Sequence, residues 1–161
     1  MSLLTGLDPL HHGLEADFSR LRPGVLTLAE VFWSAGYETA GFVASIYVEA
    51  RWGFARGFAH FDDYSGERYR LGNDVNHNVS KIVVDKLRRW LDGWDGEKRT
   101  RPFFVFLHLM NVHYDYDAPE PYKKMFDLDY QGEITGKRFI NDNRINRNMP
   151  RRVLDHLIAR Y

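Results

Sequence analysis

The chain has 161 residues, with 44% hydrophobic, 15% aromatic and 27% charged side chains, enough for about one domain with its own core. Lys plus Arg and Asp plus Glu both number 22, so no global field draws it to nucleic acid or to an anionic surface. With no Cys there is no disulfide, thiolate metal site or thiol nucleophile in these residues. No apolar run is long enough to span a bilayer, so no membrane partner is expected, and an export signal would have to lie outside this sequence.

Ser2 to Gly13 reads as a helix tail or loop broken by Gly6 and Pro9, beginning abruptly with no strand leading into it. Thr27 to Ala35 predicts a short amphipathic helix. Thr27 and Glu30 have capping-box spacing, Leu28, Val31, Phe32 and Ala35 share one face, and Gly36 stops it. Thr39 to Ser45 is small and apolar, fitting a central strand, and Phe58 to Phe61, followed by Asp62 and Asp63, suits a shorter one. The polar, Gly-bearing stretch from Ser65 to His77 reads as loop.

Asn78 to Trp94 is the longest predicted helix. Val79, Ile82, Val83, Leu87, Trp90 and Leu91 recur at three and four residues, and Lys81, Asp85, Lys86, Arg88, Arg89 and Asp92 fill the other side. After a solvated turn, Gly93 to Thr100, Phe103 to Leu109 is an almost unbroken apolar run, as expected of a parallel strand covered on both faces. His113, Asp115 and Asp117 follow within a few residues, and Pro119 and Pro121 forbid further ladder pairing. Ligands in open α/β sheets bind beyond the carboxyl ends of strands, so this loop is the first place to seek chemistry. Lys123 to Met149 is Asn-rich and lacks a sustained period. Pro150 then opens a last helix with Val153, Leu154, Leu157, Ile158 and Tyr161 as its stripe. Helix, strand, strand, helix, strand is the order of an α/β sheet with crossover helices. The organisation expected is one partial catalytic domain over 1–161, with a core to 122, an irregular excursion over 123–149 and a terminal helix over 150–161.

Four landmarks in one order resemble the sulfatases, arylsulfatase-like hydrolases of the alkaline phosphatase superfamily. Ser2-Leu3-Leu4-Thr5-Gly6, with Pro9 and His12-Gly13, is similar to the second half of the sulfatase signature, whose first half is a Cys or Ser followed by x-Pro-Ser-Arg. Thr27-Leu28-Ala29-Glu30 through Ala35-Gly36-Tyr37-Glu38-Thr39-Ala40 resembles the helix and strand that come next. Gly53-Phe54, Gly57-Phe58 and Phe61-Asp62 match the following glycine and aromatic pattern, and Pro102 to Tyr122 resembles the family's strand ending in a histidine and a proline-tyrosine loop.

The resemblance implies a partial alkaline-phosphatase-like three-layer sandwich with a mostly parallel sheet, sulfate monoester hydrolysis, a formylglycine nucleophile and a divalent cation, usually calcium. It also implies that Met1 stands inside the signature, with nucleophile and metal carboxylates outside these residues, so that the chain alone is inactive. His113 is the residue carried over, as the histidine that contacts the sulfate group. Ala44-Ser45-Ile46 stands where many relatives have Lys-x-His, which leaves the substrate class open. The substrate expected is a sulfated small molecule or glycan. A phosphodiesterase or phosphonate hydrolase, or a non-catalytic α/β binding module, are the alternatives. Without the strand that precedes the signature, the chain is expected to self-associate through an unpaired sheet edge.

The bland readings are equally specific. His108 is expected to be a satisfied core histidine, His11-His12-Gly13 a turn element, Asp62-Asp63 a strand end, Arg88-Arg89 a solvated helix face, and Asp115 and Asp117 turn-capping acids rather than metal ligands.

Overall fold

Thr27 opens its helix as its spacing demands. Its hydroxyl accepts from the Glu30 amide at 3.1 Å, and the Glu30 carboxylate accepts from the Thr27 amide at 2.8 Å. This closed capping box starts a helix over Leu28–Ser34. The computed structural model describes residues 1–63, 79–93, 100–110, 116, 120–136 and 139–160. In chain order its helices are α1 (Ser2–Thr5), α2 (Pro9–His12), α3 (Leu28–Ser34), α4 (Val79–Asp92) and α5 (Arg151–Arg160), and its strands are β1 (Glu38–Val43), β2 (His60–Asp62) and β3 (Phe103–His108). The described residues fall into two compact units, one ending at Leu109 and one running from Met110 with the chain's end.

In the first unit the strands form a parallel sheet in the order β2-β1-β3, with Gly41 opposite both Phe61 and Phe106 and Val43 opposite His108. The central strand is buried from Thr39 to Val43, as a strand covered on both faces must be. β3 departs from the same expectation. It is half-buried at best, and Phe103 and Leu107 are 49% and 37% exposed. The reason is positional: β3 pairs on one side only among the described residues, so its apolar sequence is spread over an edge. Leu4, Val43, Val48 and Phe54 form a buried cluster against which Trp52, Phe61, Phe104 and Phe106 pack. Lys86 of α4 gives its ammonium to both Asp62 oxygens at 2.8 and 2.7 Å, which makes Asp62 an anchor for the helix on β2. Arg88 and Arg89 are exposed.

Two glycines explain the Gly53 and Gly57 pattern. Gly53 has φ 95° and a Cβ there would meet Leu21, while Gly57 has φ 82° and a Cβ would enter the backbone of Ala29 and Glu30. The Gly57 segment is clamped on both sides, because Thr39 donates to the Gly57 carbonyl at 2.7 Å and Thr27 to that of Arg56 at 3.0 Å.

In the second unit, α5 begins just after Pro150, whose carbonyl accepts from the Leu154 amide. The apolar stripe is only partly buried. His156 and Leu157 are inside, whereas Leu154 and Ile158 are 38% and 61% exposed. His156 turns inward because Asp127 meets it at 2.8 Å and Tyr130 stacks on it with ring centroids 3.6 Å apart. The irregular excursion is tied down by charge. Asp127 takes both terminal nitrogens of Arg152 at 2.6 Å each, and Arg144 binds Asp142 and Glu133. The loop expected over Ser65 to His77 lies outside the described residues, as do Asn78 and Trp94 at the ends of the predicted long helix. Among the described residues no helix is long and apolar enough to cross a membrane.

Candidate functional site at the carboxyl edge of the sheet

Because β1 and β3 are parallel and in register, their carboxyl ends, Val43 and His108, lie side by side, and the Ala44 amide donates to the His108 carbonyl at 3.1 Å. Two loops leave this edge. One passes Ser45, whose hydroxyl accepts from the Tyr47 amide, into 3-10 turns at Ile46–Val48 and Ala50–Trp52. The other passes Leu109 and Met110 toward His113, Asp115 and Asp117. These three residues lie outside the described ones, so the candidate anion contact, His113, is placed by sequence alone: five residues past the end of the strand whose partner is the central one.

His108 corrects the expectation of a satisfied core histidine. Among the described residues its buried Nδ1 has no hydrogen-bond partner. Burial holds the imidazole below its ordinary value, opposed by a hydrogen bond to its own backbone and aided by the positive Met1 amino group.

His12 is different. It is buried, its Nδ1 accepts from the Leu14 amide at 3.1 Å, and its Nε2 is 3.0 Å from Ser2 Oγ. The acceptor role of Nδ1 assigns the proton to Nε2, which donates to Ser2. The ring therefore ties α1 to α2 and shapes the turn at Gly13, with burial and then the Met1 amino group keeping it neutral. His11 is exposed and pairs with Asp8 at 2.8 Å. The Asp63 carboxylate accepts from the Ala50 amide at 3.2 Å, a tie between the second 3-10 turn and the end of β2.

Among the described residues no three His, Asp or Glu side chains converge as a divalent cation requires. The described residues therefore do not fit the calcium that the resemblance implies, and no step through a metal is derived for them.

A family model described as Sulfatase matches residues 1–157. The chain belongs to the sulfatase family. A solved structure, the phosphonate monoester hydrolase of Agrobacterium radiobacter, is similar to this sulfatase-family chain with a TM-score of 0.56 at 19% identity. The likeness covers 78% of this chain and 33% of that one, so the chain spans a third of the length of that hydrolase. At this identity the likeness concerns the fold, which is α/β and alkaline-phosphatase-like, with a parallel sheet and helices. The curated proteins include no match to the sequence. Members of the sulfatase family generally use a metal ion and a formylglycine; neither the Cys precursor of that residue nor, among the described residues, a metal cluster is present here.

Proposed function

We propose that these residues form the anion-contacting part of an enzyme that hydrolyses sulfate monoesters of a small molecule or glycan. The observation that carries the reading is the family match over 1–157, and His113 stands in the sequence five residues after the parallel strand Phe103–His108. In this reading the His113 imidazole donates to a non-bridging sulfuryl oxygen, where negative charge grows in the transition state. The nucleophile and the cation, calcium by family resemblance, come from parts of the fold outside these 161 residues. The chain alone then hydrolyses no aryl sulfate above background, since nucleophile and cation together supply most of the transition-state stabilisation.

Phosphonate monoester or phosphodiester hydrolysis is the second reading. It is favoured by the solved relative that carries that name and by Ala44-Ser45-Ile46 standing where many sulfatases have Lys-x-His. The same pocket chemistry serves both transfers. In a complete enzyme that includes these residues, 4-nitrophenyl sulfate is expected to give a higher kcat/KM than 4-nitrophenyl phenylphosphonate. The opposite order would replace the first reading with the second.

A further inference from the structure

Phe18 is the one non-glycine residue with positive φ among the described residues, at 65°. Bulky L side chains rarely adopt that conformation. The turn around it does not require the ring. The Ser19 amide donates to the Ala16 carbonyl and the Ala16 amide to Ser19 Oγ, bonds that a glycine at position 18 would leave intact. Burial is no explanation either, because Phe18 is 54% exposed. What the backbone achieves is placement. The Phe18 ring lies 5.7 Å from Tyr47 at an interplanar angle of 26°, and 5.3 Å from Trp52 at 48°.

Tyr47, itself 50% exposed, and Trp52 stand on the two 3-10 turns that leave the carboxyl end of β1. Trp52 is fixed from below by packing on the Leu4, Val43, Val48 and Phe54 cluster and by its indole N–H, which donates to the Ile46 carbonyl at 2.7 Å. The Arg51 guanidinium lies 4.7 Å from its ring centroid and pairs with the buried Glu49. A rigid, half-exposed aromatic platform therefore stands on the loop that leaves the edge assigned to the anion.

We infer that Phe18, Tyr47 and Trp52 form a subsite for an aryl group, the organic part of the ester, an assignment that rests on the ester-hydrolase reading above. An aromatic ring fits because what the platform exposes is largely ring surface. Aryl stacking needs only the ring faces. Binding energy gathered there, away from the reacting bond, would orient the ester head toward the carboxyl edge.

The probe is 2-naphthol, a bare ring system with no anionic head, titrated into the 161-residue chain and followed by heteronuclear NMR and calorimetry. The inference expects saturable binding with shifts at Tyr47 and Trp52. Phe18→Gly, which suits the backbone at φ 65°, is expected to weaken binding by about threefold to tenfold, the worth of one ring contact, without lowering the melting temperature. Tyr47→Ala is expected to do the same. Absence of naphthol binding, or equal affinity in both variants, overturns the subsite. The two readings fail separately: an enzyme that turns over aryl sulfates while the chain ignores naphthol loses only this subsite, and naphthol binding without ester turnover loses only the proposed activity.

Discussion

Up to Leu109, the side chains that leave water are mostly apolar: Leu4, Phe42, Val43, Phe54 and Val83 are buried, and the strands bond backbone to backbone. From Met110 onward, Leu157 is the one buried large hydrophobic among the described residues, and order comes from Asp127 with Arg152 and His156 and from Asp142 with Arg144. The first unit rests on apolar burial, within which His12 and the partly buried His108 are the groups that acid can reach. The second rests on charge-assisted hydrogen bonds at the surface, which are directional but screened and titratable.

Substitutions should separate the two kinds of support. Phe42 is buried at 1% exposure and touches His60 and Trp90 in ring contacts. Phe42→Ala is expected to cost about 3–5 kcal/mol in denaturant unfolding, a large part of a small domain's stability. Gly57→Ala forces a Cβ into the Ala29–Glu30 backbone at φ 82°, with an expected loss of about 2–4 kcal/mol. Thr27→Ala, which removes the capping hydroxyl and its bond to Arg56, should cost about 1–2 kcal/mol. If any of these left stability unchanged, the description of the first unit as a packed, clamped core would be wrong.

Acid should act on the units in different windows. His12 and His108 have folded values below 6.5, so the folded state binds fewer protons than the unfolded chain. Their contribution is complete above pH 6.5 and is lost as pH falls below it. Asp127 and Asp142 are held at about 2 from 3.8, the first chiefly by Arg152 with His156 adding, the second chiefly by Arg144. Their contribution is intact above pH 3.8 and is lost only as pH falls from there toward 2. Residue-resolved hydrogen exchange is expected to show weaker protection around α1 and α2 by pH 5 while the Asp127 and Asp142 pairs persist. The smallest effect belongs to the isolated i,i+4 pair Lys81–Asp85, where Lys81→Ala should leave the melting temperature unchanged.

Much of this fold can be read in the chain because periodicity and capping are local. The Thr27–Glu30 box, the α4 stripe and the Thr39 strand depend on residues within a few positions of one another, and the structure has all three, the Thr27 helix and the Thr39 strand with ends shifted by one or two residues. The Thr39 strand stops at Val43 because Ser45 is taken as the cap of the next turn. What could not be read is context. The apolar sequence of Phe103–His108 gives no sign that β3 is an edge among the described strands, and the α5 stripe does not reveal that Asp127, 29 residues before His156, draws a histidine inward. The site divides the same way. His113 stands out by pattern, as a histidine five residues after a strand. The unpartnered Nδ1 of His108 and the strained Phe18 over Tyr47 and Trp52 depend on long-range packing and backbone conformation, for which composition and spacing carry no signal.

In the proposed function the loop after β3 contacts the anion through His113. The most direct test of that claim is turnover of an aryl sulfate by a complete enzyme that includes these residues, compared between the parent and His113→Ala. Loss of one transition-state donor is expected to lower kcat by about a hundredfold or more, with the melting temperature unchanged. Parent-level kcat in His113→Ala would contradict the claim.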